Sequence, residues 1–542
     1  MAPHPPDPLG LLVAVLIAAV VGTPVLSLLV LWWYRRAVGR SMRGAARRRP
    51  AAPVPVAVPE HAHVRARPAP VIVLDEAHRP GGRGGRPGDG TRDDPWRRAR
   101  RRLRATVAVY AAAGLAFGLV VAVVWLMSGG TGVGPRNLLA LTVLFAWPLV
   151  PTVLALVAAT RAAQALAWAG YVMLLLLATA GSGITLAQTG TLIGIFLGPP
   201  ALALLALSSR PVRAVGPFLA VPVLLATTGL LLWPDTTLWM MRLGAAPDVG
   251  KALGLLAAGL LGLAGFAHLS WTARQYARKR AGDQMLVISQ WWFFAAAWQS
   301  VVLLPSGIRP ALAVWAAYVA FRGVLAVGMR LRPRPAGPPR RLLLLRTFGA
   351  QRRSEALLRS LGAHWRHVGT LSMIAGTDLV SASLEPHEFL DLLRGRLARR
   401  FIGSPGELRG RVAELDDQPD PDGRYRVGEL FCHDDMWRTA LQELLRHSDC
   451  ILLDVRGFTR RHEGVTYEIT QLAQLVPLSR VLVLVDDDTD QYFLRATLDR
   501  ARTGIDPATP DAGGPLRLLR SHGGRIDTAT VVGQLAAAGG HR

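Results

Sequence analysis

The stretch Ser448–Leu472, SDCILLDVRGFTRRHEGVTYEITQL, decides how the last third of this 542-residue chain folds. Four apolar residues, Cys450 to Leu453, run without alternation into Asp454. Such a run predicts a strand buried on both faces. A basic loop containing Gly457 follows, then a helical pattern that carries Glu468. In an open α/β sheet, ligands gather at the carboxyl ends of the strands, which is where Asp454, Arg456 and Glu468 would lie. A carboxylate there can hold a ribose hydroxyl or attack a sugar carbon. The plain structural alternative is that Asp454 caps the next helix and Glu468 pairs with an arginine.

The same alternation continues on both sides of this stretch. Upstream, the run 342–345 ends on Arg346-Thr347-Phe348-Gly349, and a helix is predicted over 354–361. A second strand over 368–374 opens into Ala375-Gly376-Thr377-Asp378, and an amphipathic helix follows over 384–401. Asp434 or Asp435 is placed to cap a helix that carries Trp437, Leu441, Leu444 and Leu445 as core residues. Downstream, strands at 481–485 and 515–520 alternate with helices at 490–501 and 526–538. Strands alternating with helices predict a mainly parallel sheet with helices on both faces, covering residues 342–542.

Several constellations here invite chemistry. Gly349 and Gly376 follow predicted strands, where backbone amides can meet a phosphate. Arg346, Arg352, Arg353 and Arg456 could serve the same anion, although neither glycine belongs to GxGxxG or GxxxxGK[ST]. The acidic run Asp486-Asp487-Asp488-Thr489-Asp490 falls short of the phosphotransferase pattern DxDxT, because position 490 is Asp and not Thr. Cys432-His433-Asp434-Asp435 has no second cluster at zinc spacing, so no metal is expected. The two cysteines, Cys432 and Cys450, read as buried, reduced thiols.

The first two thirds of the chain are of another kind. Mean hydropathy over the whole chain is +0.29 and formal net charge is +25. Residues 9–33 contain no charge and are long enough to cross a bilayer as a retained anchor. From residue 105 onward, further spans are predicted at 105–127, 138–158, 165–187, 191–208, 215–233, 252–271, 284–305 and 311–329. Arginines concentrate in alternate loops. This puts the N-terminus outside and residues 35–104 in the cytoplasm, with a proline-rich linker at 331–341 and the α/β domain on the same side.

Residues 35–104 hold nineteen arginines against six acids and one short apolar patch, 71–74. That composition predicts a disordered loop whose charge meets anionic lipid headgroups and not nucleic acid. The spans are poor in ionisable groups, Arg322 being the clear exception. Gln290 and Gln299 bracket an aromatic cluster that reads as packing or an interfacial belt. The membrane part therefore reads as an anchor or sensor, with a transporter as the third option.

The order strand–Asp454, basic loop, Gly464-x-x-x-Glu468 resembles the nucleoside 2-deoxyribosyltransferase and TIR-like group of Rossmann-type domains. The opening LLLLRTFG, Trp437, and LLDVRGF followed by YE are similar to cytosolic domains of bacterial multi-pass membrane proteins, over about 340–490. The resemblance implies Glu468 as a nucleophile on an N-glycosidic bond, Asp454 as a ribose or orienting contact, and a nucleotide or NAD as ligand. Val465 departs from it, since the transferases tend to place threonine directly after the glycine. An attacking Glu468 would be ionised, with Arg456, Arg460 or Arg461 lowering its pKa. The expected function is a multi-pass protein of the cell membrane that presents a nucleotide-binding domain, with N-glycosidase activity in signalling or defence. The alternative is a non-catalytic sensor or interaction module.

Overall fold

A computed structural model describes residues 8–44, 71–75, 95–129, 134–157, 161–180, 185–194, 215–216, 218–227, 246–303, 306–332, 339–347, 351–375, 400–433, 435–503, 516–521 and 527–538, with positions 241, 244 and 392. The chain forms two compact units. One comprises 1–33, 103–333 and 384–390, the other 34–102, 334–383 and 391–542.

The first unit is helical. Its main helices are α1 (Pro8–Gly44), α2 (Pro95–Gly129), α3 (Pro135–Phe145), α4 (Leu149–Leu156), α5 (Arg161–Thr179), α6 (Pro247–Ala277), α7 (Asp283–Leu303) and α8 (Ile308–Arg330). Four of these, α2, α5, α6 and α8, are long and apolar enough to cross a membrane, and α3 with α4, bent by 47°, would add a fifth. These counts cover the described residues only. The predicted span at 191–208 lies largely outside them. Helix α7 forms as predicted and carries the polar residues Asp283, Gln284, Ser289, Gln290 and Gln299.

Small residues let these helices approach closely. A Cβ at Gly118 would run into the Thr142 carbonyl. Trp292 of α7 fills the space beside them, edge-on to Phe117 at 5.1 Å and stacked on Phe321 at 4.5 Å. Its indole N–H donates to Thr152 Oγ1 at 3.2 Å.

The second unit is built on a seven-stranded parallel sheet in the order β1-β7-β6-β5-β2-β3-β4. The strands are β1 (Val71–Asp75), β2 (Arg340–Arg346), β3 (Gly369–Ile374), β4 (Val427–Leu430), β5 (Cys450–Asp454), β6 (Val481–Val485) and β7 (Leu516–Arg520). The helices are α9 (Gln351–His364), α10 (Pro405–Ala413), α11 (Trp437–His447), α12 (Glu463–Leu475), α13 (Gln491–Thr503) and α14 (Thr528–Ala538).

Alternate residues of each central strand enter two separate cores. Leu343, Leu345, Ile451, Leu453, Val481 and Val483 pack with α11, α12 and α13. Leu342, Leu344, Cys450, Leu452, Leu482 and Leu484 pack with α9, α14 and Trp365. Helices thus cover both faces, and this accounts for the unbroken apolar runs in the sequence.

Trp365 is fully buried and its N–H donates to Thr370 O at 2.9 Å. Trp437, expected in the core, instead sits half-buried at its margin, edge-on to Tyr467 at 5.4 Å. At Gly369 a Cβ would collide with the Arg340 carbonyl, so glycine is required where β3 meets β2.

Two further expectations need correction. The N-cap of α11 is Met436, without a side-chain cap, in place of Asp434 or Asp435. The basic segment 35–104, expected to be a disordered loop, contributes β1, whose residues pair in register with β7 from Val71↔Leu516 to Asp75↔Arg520. Parallel pairing with a long intervening crossover needs only a short apolar strand, and VIVLD supplies one. The segment also holds the end of α1 and the start of α2.

A fragment beginning near residue 340 would therefore lack its edge strand. In full-length protein carrying Ile72→Cys and Arg517→Cys, which are register partners, oxidation should give a disulfide between the two. Cα atoms paired across a sheet lie within bridging range. Peptide mass spectrometry reads it, and its absence under oxidation that links other paired positions would remove β1 from the sheet.

Candidate functional site

Among the six strands of the C-terminal third, β2 comes first and lies centrally. Strands β3 and β4 step away on one side, and β5, β6 and β7 on the other. This is the doubly wound order 3-2-1-4-5-6, whose switch point falls between the first and fourth strands, here β2 and β5. Arg346 ends β2, Asp454 ends β5, and the two are register partners. Thr347 locks the edge, its N–H and its hydroxyl donating to the Asp454 carbonyl at 3.0 and 3.1 Å.

The Asp454 carboxylate is committed. Arg456 Nε donates to one oxygen at 2.7 Å and Nη2 to the other at 2.6 Å, with both side chains buried. Asp454 therefore neither caps the next helix, whose N-cap is His462, nor leaves Arg456 free for an anion. The loop turns at Gly457 with φ 71°, and the Gly457 N–H donates to Asp486 Oδ1 at 2.9 Å. Thr489 Oγ1 accepts the Asp486 N–H at 3.1 Å and donates to Val455 O at 3.0 Å. The acidic run is thus occupied structurally: Asp487 pairs with Arg520 at 3.1 Å, and Asp490 accepts the Phe493 N–H at 2.9 Å at the start of α13.

Glu468 is different. It lies on the buried face of α12 with Val465, Ile469 and Leu472, is 3% exposed, and its Oε2 has no hydrogen-bond partner. Burial pushes its carboxyl up to about 8, with the nearby Arg346 charge acting in the opposite direction. The expectation of an ionised Glu468 held by Arg456, Arg460 or Arg461 is therefore corrected. Arg456 is taken by Asp454, Arg460 stacks over Phe493 at 5.8 Å, and Arg461 is exposed. In a dry niche the cost of desolvating the carboxylate exceeds the attraction of one guanidinium, so the proton stays on at neutral pH.

The switch point therefore brings together Arg346, Asp454, Arg456 and Glu468 in two roles. Asp454 with Arg456 is a buried scaffold. Glu468, with the charge of Arg346 nearby, is an unsatisfied carboxyl that can donate or accept one strong hydrogen bond. Gly349 and Gly376 fall outside the described residues, as do the side chains of Arg352 and Arg353. Sequence reasoning missed Thr347 and the Asp486–Thr489 lock, although Thr347 follows directly on a predicted strand end. Burial pushes the thiols of Cys432 and Cys450 up to about 12, which leaves neither as a nucleophile at neutral pH. Among the described residues, no group of His, Cys, Asp and Glu is arranged to hold a metal ion.

Folded Glu468 keeps its proton to about pH 8, whereas an unfolded glutamate releases it near 4.5. The folded state binds more protons across that window, so this residue's contribution to stability falls as pH rises through it. Glu468→Gln should flatten that slope and raise the melting temperature at pH 8. Asp454→Asn should lower stability by about 3–5 kcal/mol by leaving Arg456 buried and unpaired. Melts of the full-length, detergent-solubilised protein at several pH values check both. A Glu468→Gln protein no more stable than wild type at pH 8 would mean that the carboxyl is hydrated in the fold. Compared with known protein families, with curated proteins and with solved structures, the chain finds no match.

Proposed function

We propose that this is a membrane protein whose α/β domain binds a nucleotide-class ligand at the β2–β5 switch point, with N-glycosidase chemistry on NAD or a nucleotide as its activity in signalling or defence. The observation that carries this is the buried Glu468 Oε2 without a partner, beside the charge of Arg346 at the strand ends. Ligands of doubly wound sheets collect at such a point. Arg346 would meet a phosphate. Glu468 would meet the sugar or the base.

A neutral Glu468 suits a hydrogen bond in the resting site. Turnover needs the carboxylate, and a cationic nicotinamide arriving nearby would favour proton loss. The carboxylate would then attack the anomeric carbon and the N-glycosidic bond would break. Its electron pair would leave with the nicotinamide nitrogen, and water would complete the exchange. The arginine distribution supports a cytoplasmic domain, with the basic segment 35–104 meeting anionic headgroups.

Full-length protein incubated with NAD should release nicotinamide, measured by chromatography, and Glu468→Gln should reduce the release by at least about a hundredfold. Thermal protection by NAD without release, lost in Arg346→Gln, would support the non-catalytic binding module in its place. Neither release nor protection, with NAD and nucleoside monophosphates both tried, would end the nucleotide reading.

A further inference from the structure

The helical unit holds a second polar cluster, where α6, α7 and α8 meet. On α8, the Arg322 guanidinium donates from Nη1 to Ser289 Oγ at 2.8 Å and lies 5.4 Å over the ring of Trp271. No acidic side chain neutralises it among the described residues. His268 stacks on Phe293 with ring centroids 3.8 Å apart, and its Nε2 lies 3.4 Å from the Tyr318 hydroxyl. Arg322 is close enough for its charge to act on both His268 and Tyr318. Gln290 is fully buried, donates to Thr272 Oγ1 at 3.2 Å and sets its side-chain amide against His268.

These residues share one level. At 1.5 Å per residue, Trp271, Ser289 and Arg322 lie about 9–12 Å from the helix ends at Ala277, Asp283 and Arg330. The turn joining α6 to α7 carries Arg278, Lys279 and Arg280 at that same end. A charge at such depth is costly in hydrocarbon and is found paired or in a functional site. Arg322 offers five N–H donors and uses one on Ser289. What the cluster lacks is an anion.

We infer that α6, α7 and α8 form a binding site for an anionic headgroup, a phosphate or carboxylate, with Arg322 as its counter-charge. The guanidinium N–H groups not used on Ser289 supply the hydrogen bonds, and Trp271 and Phe293 the apolar walls. A basic pocket between membrane helices near one surface is a known kind of site for lipid phosphates. The site is separate from the β2–β5 switch point and would stand if that reading failed.

The test uses full-length protein released from nanodiscs of mixed phosphatidylglycerol and phosphatidylcholine, with retained lipid counted by native mass spectrometry. Wild type should hold one phosphatidylglycerol in preference to phosphatidylcholine. Arg322→Gln should weaken that retention by about thirtyfold or more, as expected when one partner of a buried charge pair is removed. Ser289→Ala, which removes the hydroxyl that positions the guanidinium, should weaken it by less, and Arg309→Gln at the exposed far end of α8 should leave it unchanged. If Arg322→Gln does not fold, Ser289→Ala decides. Inorganic phosphate retained from lipid-free detergent by wild type and not by the site variants would keep the site and assign it to a free anion. Equal retention of the two lipids with no site-dependent retention of phosphate, or unchanged retention in Arg322→Gln and Ser289→Ala, overturns the inference.

Discussion

The α/β unit depends on the pairing of β2 with β5 at the centre of the sheet. Leu342 to Leu345 lie beside Cys450 to Leu453, and each run is buried on both faces. Few other placements could satisfy two runs of four consecutive apolar positions, so these strands take the middle and the rest of the sheet grows outward from them. Parallel strands need long crossovers. With β2 already flanked by β3, the later strands extend the sheet on its other side. The reversal leaves Arg346 and Asp454 side by side where no single connection crosses.

The two acids near this edge show how context sorts identical chemistry. Asp454 sits two residues from Arg456, close enough for a bidentate pair that fixes the loop and fills both oxygens. Removing either partner would strand a buried charge, so the pair is a commitment of the fold. Glu468 comes from the following helix and meets apolar neighbours on its own face. It lowers its desolvation cost by holding its proton, and it keeps one oxygen unused. A fold that needed only packing at position 468 could have placed leucine there. A buried polar atom left unsatisfied is a cost that calls for a reason.

Much of the architecture was legible because continuous apolar runs carry position. The runs at 450–454 and 481–485 matched their strands residue for residue, and 342–345 fell inside β2. Strand β4, Val427–Leu430, was invisible because three of its four residues are only half-buried, which leaves no hydrophobic signature. Strand β1 was set aside because arginine and proline surround it, and its partner lies at the far end of the chain. The site was legible in its members and not in its pairings. Arg456, Arg460 and Arg461 are near Glu468 in sequence, and proximity along the chain favoured them. The charge that reaches Glu468 is Arg346, delivered by the register of β2 against β5. Register is a property of tertiary packing, and composition does not encode it.

Each unit holds an ionisable group that its neighbours only partly answer, Glu468 buried and Arg322 half-buried, and chemistry forces different solutions. A carboxylic acid can neutralise itself by keeping a proton, so Glu468 can wait in an empty site at modest cost. A guanidinium keeps its charge in proteins and cannot take that route. Arg322 must be compensated by dipoles, by a ring face, or by an anion. Ser289 and Trp271 provide the first two. In water these would suffice, because solvent screens the remainder, but a helix interface in hydrocarbon has no such reserve. One bound anionic headgroup would meet that demand, its charge answering Arg322 and its oxygen atoms accepting from the guanidinium N–H groups that Ser289 does not use.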